Sequence, residues 1–483
     1  MRRLIFTLVA GASLLAAGAA CAQALEASPK SAPAMGPLRP DQARFRAIYK
    51  ELVETNTELS DGNCTAAAAR MQAHLVEAGY PASDLHPFAA PDHSKEGGLV
   101  AVLPGSDPHA KPLLLLAHID VVEARRADWV RDPFTLVEED GYFYARGSSD
   151  DKSMAATWVD TMMRLREQHV HLKRTIKMAL TCGEETEGAF NGAGWLATHE
   201  RALVDAEFAL NEGGGGQLDA AGHQVLLSVE AAEKTPQDYD LVVTNPGGHS
   251  SRPVKPNAIY QLSAGLLKVG DYQFPIMFDD ANRAYFNAMA KIKGGEQGAA
   301  MTALMANPQD AHAYAIVSAD PSSNAILHTT CVATKLEAGH ATNALPQRAM
   351  ANVNCRIFPG VTTEAVRQTL AQVVGDPAIT VSMPNHRGPL AKPLPLTPQV
   401  MGPIQQVSAK YYPGVPVVPT LLAGATDGVF MGDVGIPTYG VGGTFYDPDL
   451  GHIHGLNERI GVKTLYDGRD FLWDLVNLYG MQE

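Results

Sequence analysis

Five short segments place histidines or acids directly after an apolar run. Leu115-Leu116-Ala117-His118-Ile119-Asp120 ends on a histidine, with an acid two residues on and therefore on the same strand face. Ala145-Arg146-Gly147-Ser148-Ser149-Asp150-Asp151-Lys152 carries adjacent carboxylates. Thr181-Cys182-Gly183-Glu184-Glu185-Thr186-Glu187-Gly188 carries three glutamates, which repel one another unless a cation or a proton offsets them. Ala209-Leu210-Asn211-Glu212 is followed by Gly213-Gly214-Gly215-Gly216, where backbone can pass close to a neighbour. Gly451-His452-Ile453-His454-Gly455-Leu456-Asn457-Glu458 offers two histidines.

Each segment alone has a plainer explanation. His118 would serve as a packed core histidine, and Asp150-Asp151 as helix caps. The glutamates would form a solvated turn, the glycines a flexible loop, and His452 and His454 a surface pair. Jointly the segments supply imidazoles and carboxylates at the ends of several strands. Those donors suit two cations such as Zn²⁺, which can share one carboxylate as a bridge.

The elements that must position these groups follow from the apolar pattern. Leu99–Leu103, Leu113–Ala117, Ile176–Thr181 and Phe208–Leu210 read as buried strands, and Met154–Gln168 as a helix. The stretch from Asp41 to Gly79 has helical periodicity. This alternation predicts an α/β domain with a mostly parallel sheet, whose ligands bind at the carboxyl ends of the strands. From about Glu230 the rhythm changes. Strands at Tyr239–Thr244, Ala325–Ala333, Ala351–Phe358 and Ile379–Met383, with helices at Asn257–Val269 and Thr363–Val374, suggest a small ferredoxin-like α+β unit. A Met- and Ala-rich stretch from about Asp271 to Ser323 interrupts it. The α/β rhythm resumes after Pro393 and ends in an amphipathic helix at Val462–Leu478. The expected division is a leader over 1–24, a linker over 25–40, an α/β domain over 41–233 and 394–483, and the inserted unit over 234–393.

The chain has 483 residues, 46% of them apolar and 19% charged, which excludes a disordered or collagen-like protein. Its net charge of −14 argues against a nucleic-acid or anionic-membrane surface. Met1-Arg2-Arg3, an uncharged run and Ala22-Gln23-Ala24 read as a secretory signal peptide cleaved before Leu25. A lipidated Cys21 is the competing reading, although Gly18 stands where leucine is expected. Export to the periplasm or medium follows, and no later stretch is apolar enough to span a bilayer. Five cysteines are too few for a disulfide scaffold. Cys331 and Cys355 fall in neighbouring expected strands, which leaves a disulfide between them open.

The five segments, in this order, resemble the two-zinc metallopeptidase family of aminoacylase, carboxypeptidase G and succinyl-diaminopimelate desuccinylase, in particular its carboxypeptidase S-like branch. The likeness runs from about Arg44 to Leu478. It implies two Zn²⁺ ions, with Co²⁺ able to substitute. It implies that His118 and Glu212 hold one metal, Glu185 and His454 the other, and that Asp150 bridges them. Asp120 would orient His118, and Glu184 would be the general acid and base. His452 has no counterpart role. A cis peptide is implied at Asp150–Asp151.

The resemblance extends into the inserted unit, a lid and dimerisation domain in this family. His249, in Gly247-Gly248-His249-Ser250-Ser251-Arg252-Pro253, would help hold the reacting carbonyl oxygen. Asn343 and Arg356 would grip a substrate carboxylate, and Gly424 would contribute a backbone contact. In many members the lid pairs with a second copy and lends its histidine to the partner's site. The long 271–323 stretch puts that pairing in question here. The implied substrates are short peptides or N-acyl amino acids that release an amino acid with a free carboxylate. A catalytically inactive binding protein on the same scaffold would require a lost ligand or base, and none is lost. A serine hydrolase would require a Gly-x-Ser-x-Gly elbow, which the chain lacks.

Overall fold

The computed structural model describes residues 35–186, 190–255, 257–384 and 388–482. The leader, Cys21 and most of the linker lie outside them. So does Glu187.

A ten-stranded sheet forms the body of the molecule. At its centre Ile176–Thr181, Leu113–His118, Phe208–Asn211 and Thr438–Val441 lie side by side and parallel. All four are buried along their length, as a parallel sheet covered on both faces requires. Alternation along the His118 strand divides the two layers. Leu113, Leu115 and Ala117 join the core that holds Trp158 of helix Lys152–Glu167. Leu114 and Leu116 face the opposite layer with Leu196 and Met431. Trp158 Nε1 donates to the Leu116 carbonyl at 3.0 Å, which satisfies the indole inside the core. Antiparallel strands, Gly98–Leu103 and Gln224–Glu233 among them, flank this parallel centre. The helical stretch expected over 41–79 is two helices, Pro40–Val53 and Cys64–Glu77. The Asn63 side chain starts the second by accepting the Ala66 N–H at 2.9 Å.

The chain passes from the large sheet to a smaller one at Lys234, between strands Gln224–Glu233 and Thr235–Thr244. The small sheet has four antiparallel strands in the order Thr330–Ala338, Arg348–Ile357, Thr235–Thr244, Ile379–Ser382. Helices Ala258–Asp271 and Thr363–Val374 cover one face with a separate core that includes Tyr239, Leu262, Val353 and Leu370. The strand expected at 325–333 starts later, at Thr330, because Pro321–Ala325 forms a helix capped by Asp320. Most of Thr330–Ala338 is exposed along this sheet edge, so it carries little of the apolar pattern that marks buried strands.

The 271–323 stretch does not extend the small sheet. Its helices Asp280–Lys293 and Gly295–Ala306 place Phe286, Met289, Met301 and Leu304 in the large core. Asn282, fully buried, ties the two ends of this stretch by donating to the carbonyls of Met277 at 3.0 Å and Ile326 at 2.9 Å.

Two disulfides are present among the described residues. Cys331–Cys355 joins directly opposed residues of neighbouring strands. Cys64–Cys182 links the second helix to the loop that carries Glu184, a pairing that nothing in the sequence suggests.

Candidate active site

The parallel centre of the sheet delivers its functional residues at one edge. His118 is the last residue of its strand, Glu212 directly follows Phe208–Asn211, and Glu184 lies three residues beyond Ile176–Thr181. Asp150 precedes helix Lys152–Glu167, and His454 comes from a loop near the C-terminus. These are the carboxyl ends of the strands, where ligands bind in open α/β sheets.

Asp150 lies between the two histidines. Its Oδ1 is 3.1 Å from His118 Nε2, and its Oδ2 is 3.1 Å from His454 Nε2. Glu212 Oε1 is 3.6 Å from His118 Nε2, and Glu185 Oε1 is 2.8 Å from His454 Nε2. Ligand atoms of His118, Glu184 and Glu212 all lie within 4.8 Å of one another, as do those of His118, Asp150 and Glu185. His452 is turned elsewhere and meets Asp449 at 3.2 Å. The Asp150–Asp151 peptide is cis.

Asp120 positions two of these groups. Its backbone oxygen is 3.1 Å from His118 Nδ1, nearer than its carboxylate at 3.5 Å. The carboxylate accepts the N–H groups of Glu184 at 3.4 Å and Glu185 at 3.0 Å. One acid therefore sets the imidazole and the glutamate loop together.

The electrostatics show what this cluster lacks. Burial pushes Glu184 and Glu212 well above the ordinary carboxylate range, and neighbouring acids add to the shift. Asp151 is raised by burial and by Asp150. Burial works against charging His118, yet Glu212, Asp120 and Asp150 hold it well above its usual value. Hydrogen bonds to Asp150 and Glu185 raise His454 to about 10. Acids outnumber the groups that can offset them, and the donors are imidazole nitrogens and carboxylate oxygens. The donor set therefore fits divalent cations of the Zn²⁺ type.

The supporting residues are ones that sequence reasoning gave no role. Glu458 is fully buried and accepts from Arg146 Nη1 at 2.7 Å, Gly147 N at 3.1 Å, Ser149 N at 2.9 Å and Asp150 N at 3.1 Å. Arg146 also donates to the His454 and Gly455 carbonyls. The Asp150 loop and the His454 loop are thus fastened to each other. The latter needs fastening, because Leu450, His452, His454 and Asn457 all have φ between 55° and 61°. Asp427 accepts from Thr181 Oγ1 and Asn191 Nδ2, both at 2.7 Å, and so joins the glutamate loop to the turn that carries Gly424. Both acids lie in segments whose composition stands out, but their partners are hundreds of residues away.

Two cavities meet at the cluster. One of about 900 Å³ is lined by Glu184, Glu185, Trp195, Arg356, Gly424 and Phe430. A second of about 720 Å³ opens from Asp150, Glu184 and Glu212 toward Leu422, Tyr285 and Ile326. Glu184 and His454 line both. Gly213, with φ 95°, takes the backbone past the Glu230 carboxylate, which would lie 1.8 Å from a Cβ at that position. Arg356 and Gly424 thus sit beside the cluster. His249 and Asn343 do not line either cavity. His249 lies instead on the exposed strand of a two-stranded ribbon in which Gly248 pairs with Leu345 and His249 with Ala344, and Asn343 lies in the turn just before the other strand.

Residues 114–478 match the model of the peptidase family M20/M25/M40. The chain belongs to that family. The M20 match covers every residue of the cluster and the lid motifs as well. Among curated relatives, the N-fatty-acyl-amino acid synthase/hydrolase PM20D1 of Mus musculus is 28% identical over 384 residues, covering 77% of this chain and 75% of that protein. The probable carboxypeptidase S-like 2 of Dictyostelium discoideum is 28% identical over 385 residues, covering 77% and 72%. Among solved structures, the M20 metallo-carboxypeptidase Sso-CP2 of Sulfolobus solfataricus superposes with a TM-score of 0.69 at 19% identity, over 92% of this chain and all of that one. The expected family and its fold are both borne out, and the M20 chain is a hydrolase of peptide or amide bonds.

Proposed function

We propose that this M20 hydrolase is an exported, two-zinc amidase that releases an amino acid with a free carboxylate from a short peptide or an N-acyl amino acid. One observation carries the reading: Asp150 directs one carboxylate oxygen to His118 and the other to His454, with Glu184 beside them. His118, Asp150 and Glu212 would hold one ion, and Asp150, Glu185 and His454 the other. Such ions would supply Lewis acidity to the substrate carbonyl and a lowered pKa to the attacking water.

The remaining chemistry belongs to the chain. Glu184 takes the proton of the attacking water and passes it to the leaving nitrogen. Its raised pKa, caused first by burial, suits a group that must hold that proton between the two transfers. Asp120 keeps His118 and the Glu184 loop in register. Arg356 pairs with the carboxylate of the departing amino acid, and Gly424 offers backbone alongside.

His249 and Asn343 would complete a site from the lid, with His249 stabilising the developing oxyanion. Neither residue lines a cavity of its own chain, which supports delivery to a second copy. The exposed apolar residues Val332 and Leu336, on the outer strand of the small sheet, support pairing there. The 271–323 helices pack on the large core and leave that strand uncovered. Export is supported by the leader pattern and by two disulfides. No helix among the described residues is long and apolar enough to cross a membrane.

The test is chelation followed by readdition of Zn²⁺ or Co²⁺, with N-acyl amino acids and dipeptides as substrates. Loss and recovery of hydrolysis is expected. Indifference to chelation would remove the metal assignment.

A further inference from the structure

We propose that the cavity of about 720 Å³ holds the acyl chain of an N-acyl amino acid, and that the 271–323 helices set the chain length it accepts. This rests on the amide-hydrolase reading above and names its substrate class.

An amide carbonyl placed at Glu184 has access to both cavities, because Glu184 and His454 line each of them. Arg356 lies in one, which assigns that side to the carboxylate of the amino acid. The acyl group must then enter the other. The acids of that second cavity, Asp150, Asp151, Glu184 and Glu212, belong to the cluster or adjoin it. Beyond the cluster residues, Ala325, Ile326, Leu421, Leu422, Leu450 and Ile453 supply apolar wall. Among the described lining residues there is no lysine or arginine, and the histidine, His454, belongs to the cluster, so the rest of the wall offers no cation to an acidic acyl group. The volume is in the range of sites that enclose whole small molecules. It is far larger than an acetyl group needs.

The far wall comes from the inserted stretch and the turn that follows it. Tyr285 projects from helix Asp280–Lys293, and Ala325 and Ile326 lie at the end of Pro321–Ala325. This wall is fixed from behind by Phe286 and Met289 in the core, and by the Asn282 bond to the Ile326 carbonyl. A wall fastened in this way limits the length of chain that the cavity accepts.

The experiment compares kcat/KM of the zinc-loaded protein on N-acetyl-, N-octanoyl- and N-dodecanoyl-glycine and on glycylglycine. Burial of each methylene should raise kcat/KM by about fourfold until the cavity is full. Ala325→Trp should lower the dodecanoyl-to-acetyl ratio at least tenfold. Tyr285→Ala, which deepens the cavity, should move the preference to longer chains and covers the case in which the tryptophan variant fails to fold. A wild-type preference for acetyl or for the free dipeptide would overturn the acyl cavity and leave the hydrolase reading intact. So would chain-length ratios unmoved in folded variants. If no substrate is cleaved, the hydrolase reading fails. Calorimetric binding of N-dodecanoylglycine then decides the cavity: binding weakened tenfold or more by Ala325→Trp supports it, and no binding, or binding unchanged, overturns it.

Discussion

The backbone N–H of Asp150 donates to the Glu458 carboxylate at 3.1 Å. The same carboxylate pairs with Arg146, so the residue between the two histidines is held by a buried acid on a distant loop. Glu458→Ala would leave Arg146 buried without its partner. Breaking such a pair costs about 3–5 kcal/mol. Metal affinity should also fall by roughly 10–100-fold as Asp150 loses its support. Thermal unfolding and zinc titration of the variant check both. Unchanged zinc affinity would show that the Asp150 loop holds itself.

Arg356 offers a forked donor to a carboxylate. Arg356→Ala should raise KM by roughly 10–100-fold, the loss of a charge-assisted pair of about 1.5–3 kcal/mol. Arg356→Lys should recover only part of it. Steady-state kinetics on an N-acyl amino acid and on its carboxamide separate the cause. The carboxamide should be a poor substrate for the wild type and nearly insensitive to the substitution.

Cys64–Cys182 closes a loop across 118 residues and ends two residues before Glu184. The chain-entropy relation gives about 4–5 kcal/mol for a loop of that size. Replacing both cysteines by serine should lower the unfolding free energy by a comparable amount and depress turnover by loosening the Glu184 loop. Cys331–Cys355 closes a loop across only 24 residues in the small sheet. Its removal should cost less and spare the chemistry. Denaturant unfolding and kcat for the two double variants test the difference.

Glu233 is buried beside the Thr426 N–H, and burial raises it from 4.5 to about 8, with Asp427 adding to the shift. Between those values the folded chain keeps a proton that the unfolded chain releases. Stability contributed by this group therefore falls as pH rises from 4.5 through 8. Glu233→Gln keeps an acceptor for Thr426 and removes the titration. Its Tm advantage over wild type should grow between pH 5 and pH 8.5, by up to a few kcal/mol equivalent. A constant difference across that range would contradict the shift.

Much of this architecture was legible in the sequence. Three of the four central strands are mostly apolar because both faces are covered, and they mark themselves by composition, whereas Thr438–Val441 is too short and mixed to do so. Most residues of the candidate metal cluster stand out because they end or follow such a strand or open a helix, whereas His454 lies on a loop. What stayed hidden depends on distance along the chain. The Arg146–Glu458 pair spans 312 residues, and neither residue has a local pattern that requires the other. The same holds for Cys64 and Cys182. The 271–323 stretch reads as an interruption of the small unit because it lies within it in sequence. Its buried methionines and Phe286 match the large core equally well, and only the fold decides between them. The exposed strand Thr330–Ala338 began later than expected, because an edge strand has little need of apolar alternation.

In the proposed mechanism Glu184 moves the proton while other residues hold two ions. The most direct measurement is the metal content and amide turnover of Glu184→Gln beside wild type. Two equivalents of zinc are expected in both proteins, with a fall in kcat of at least a thousandfold in the variant. Near-normal turnover in Glu184→Gln, or a wild type that hydrolyses amides without metal, would contradict it.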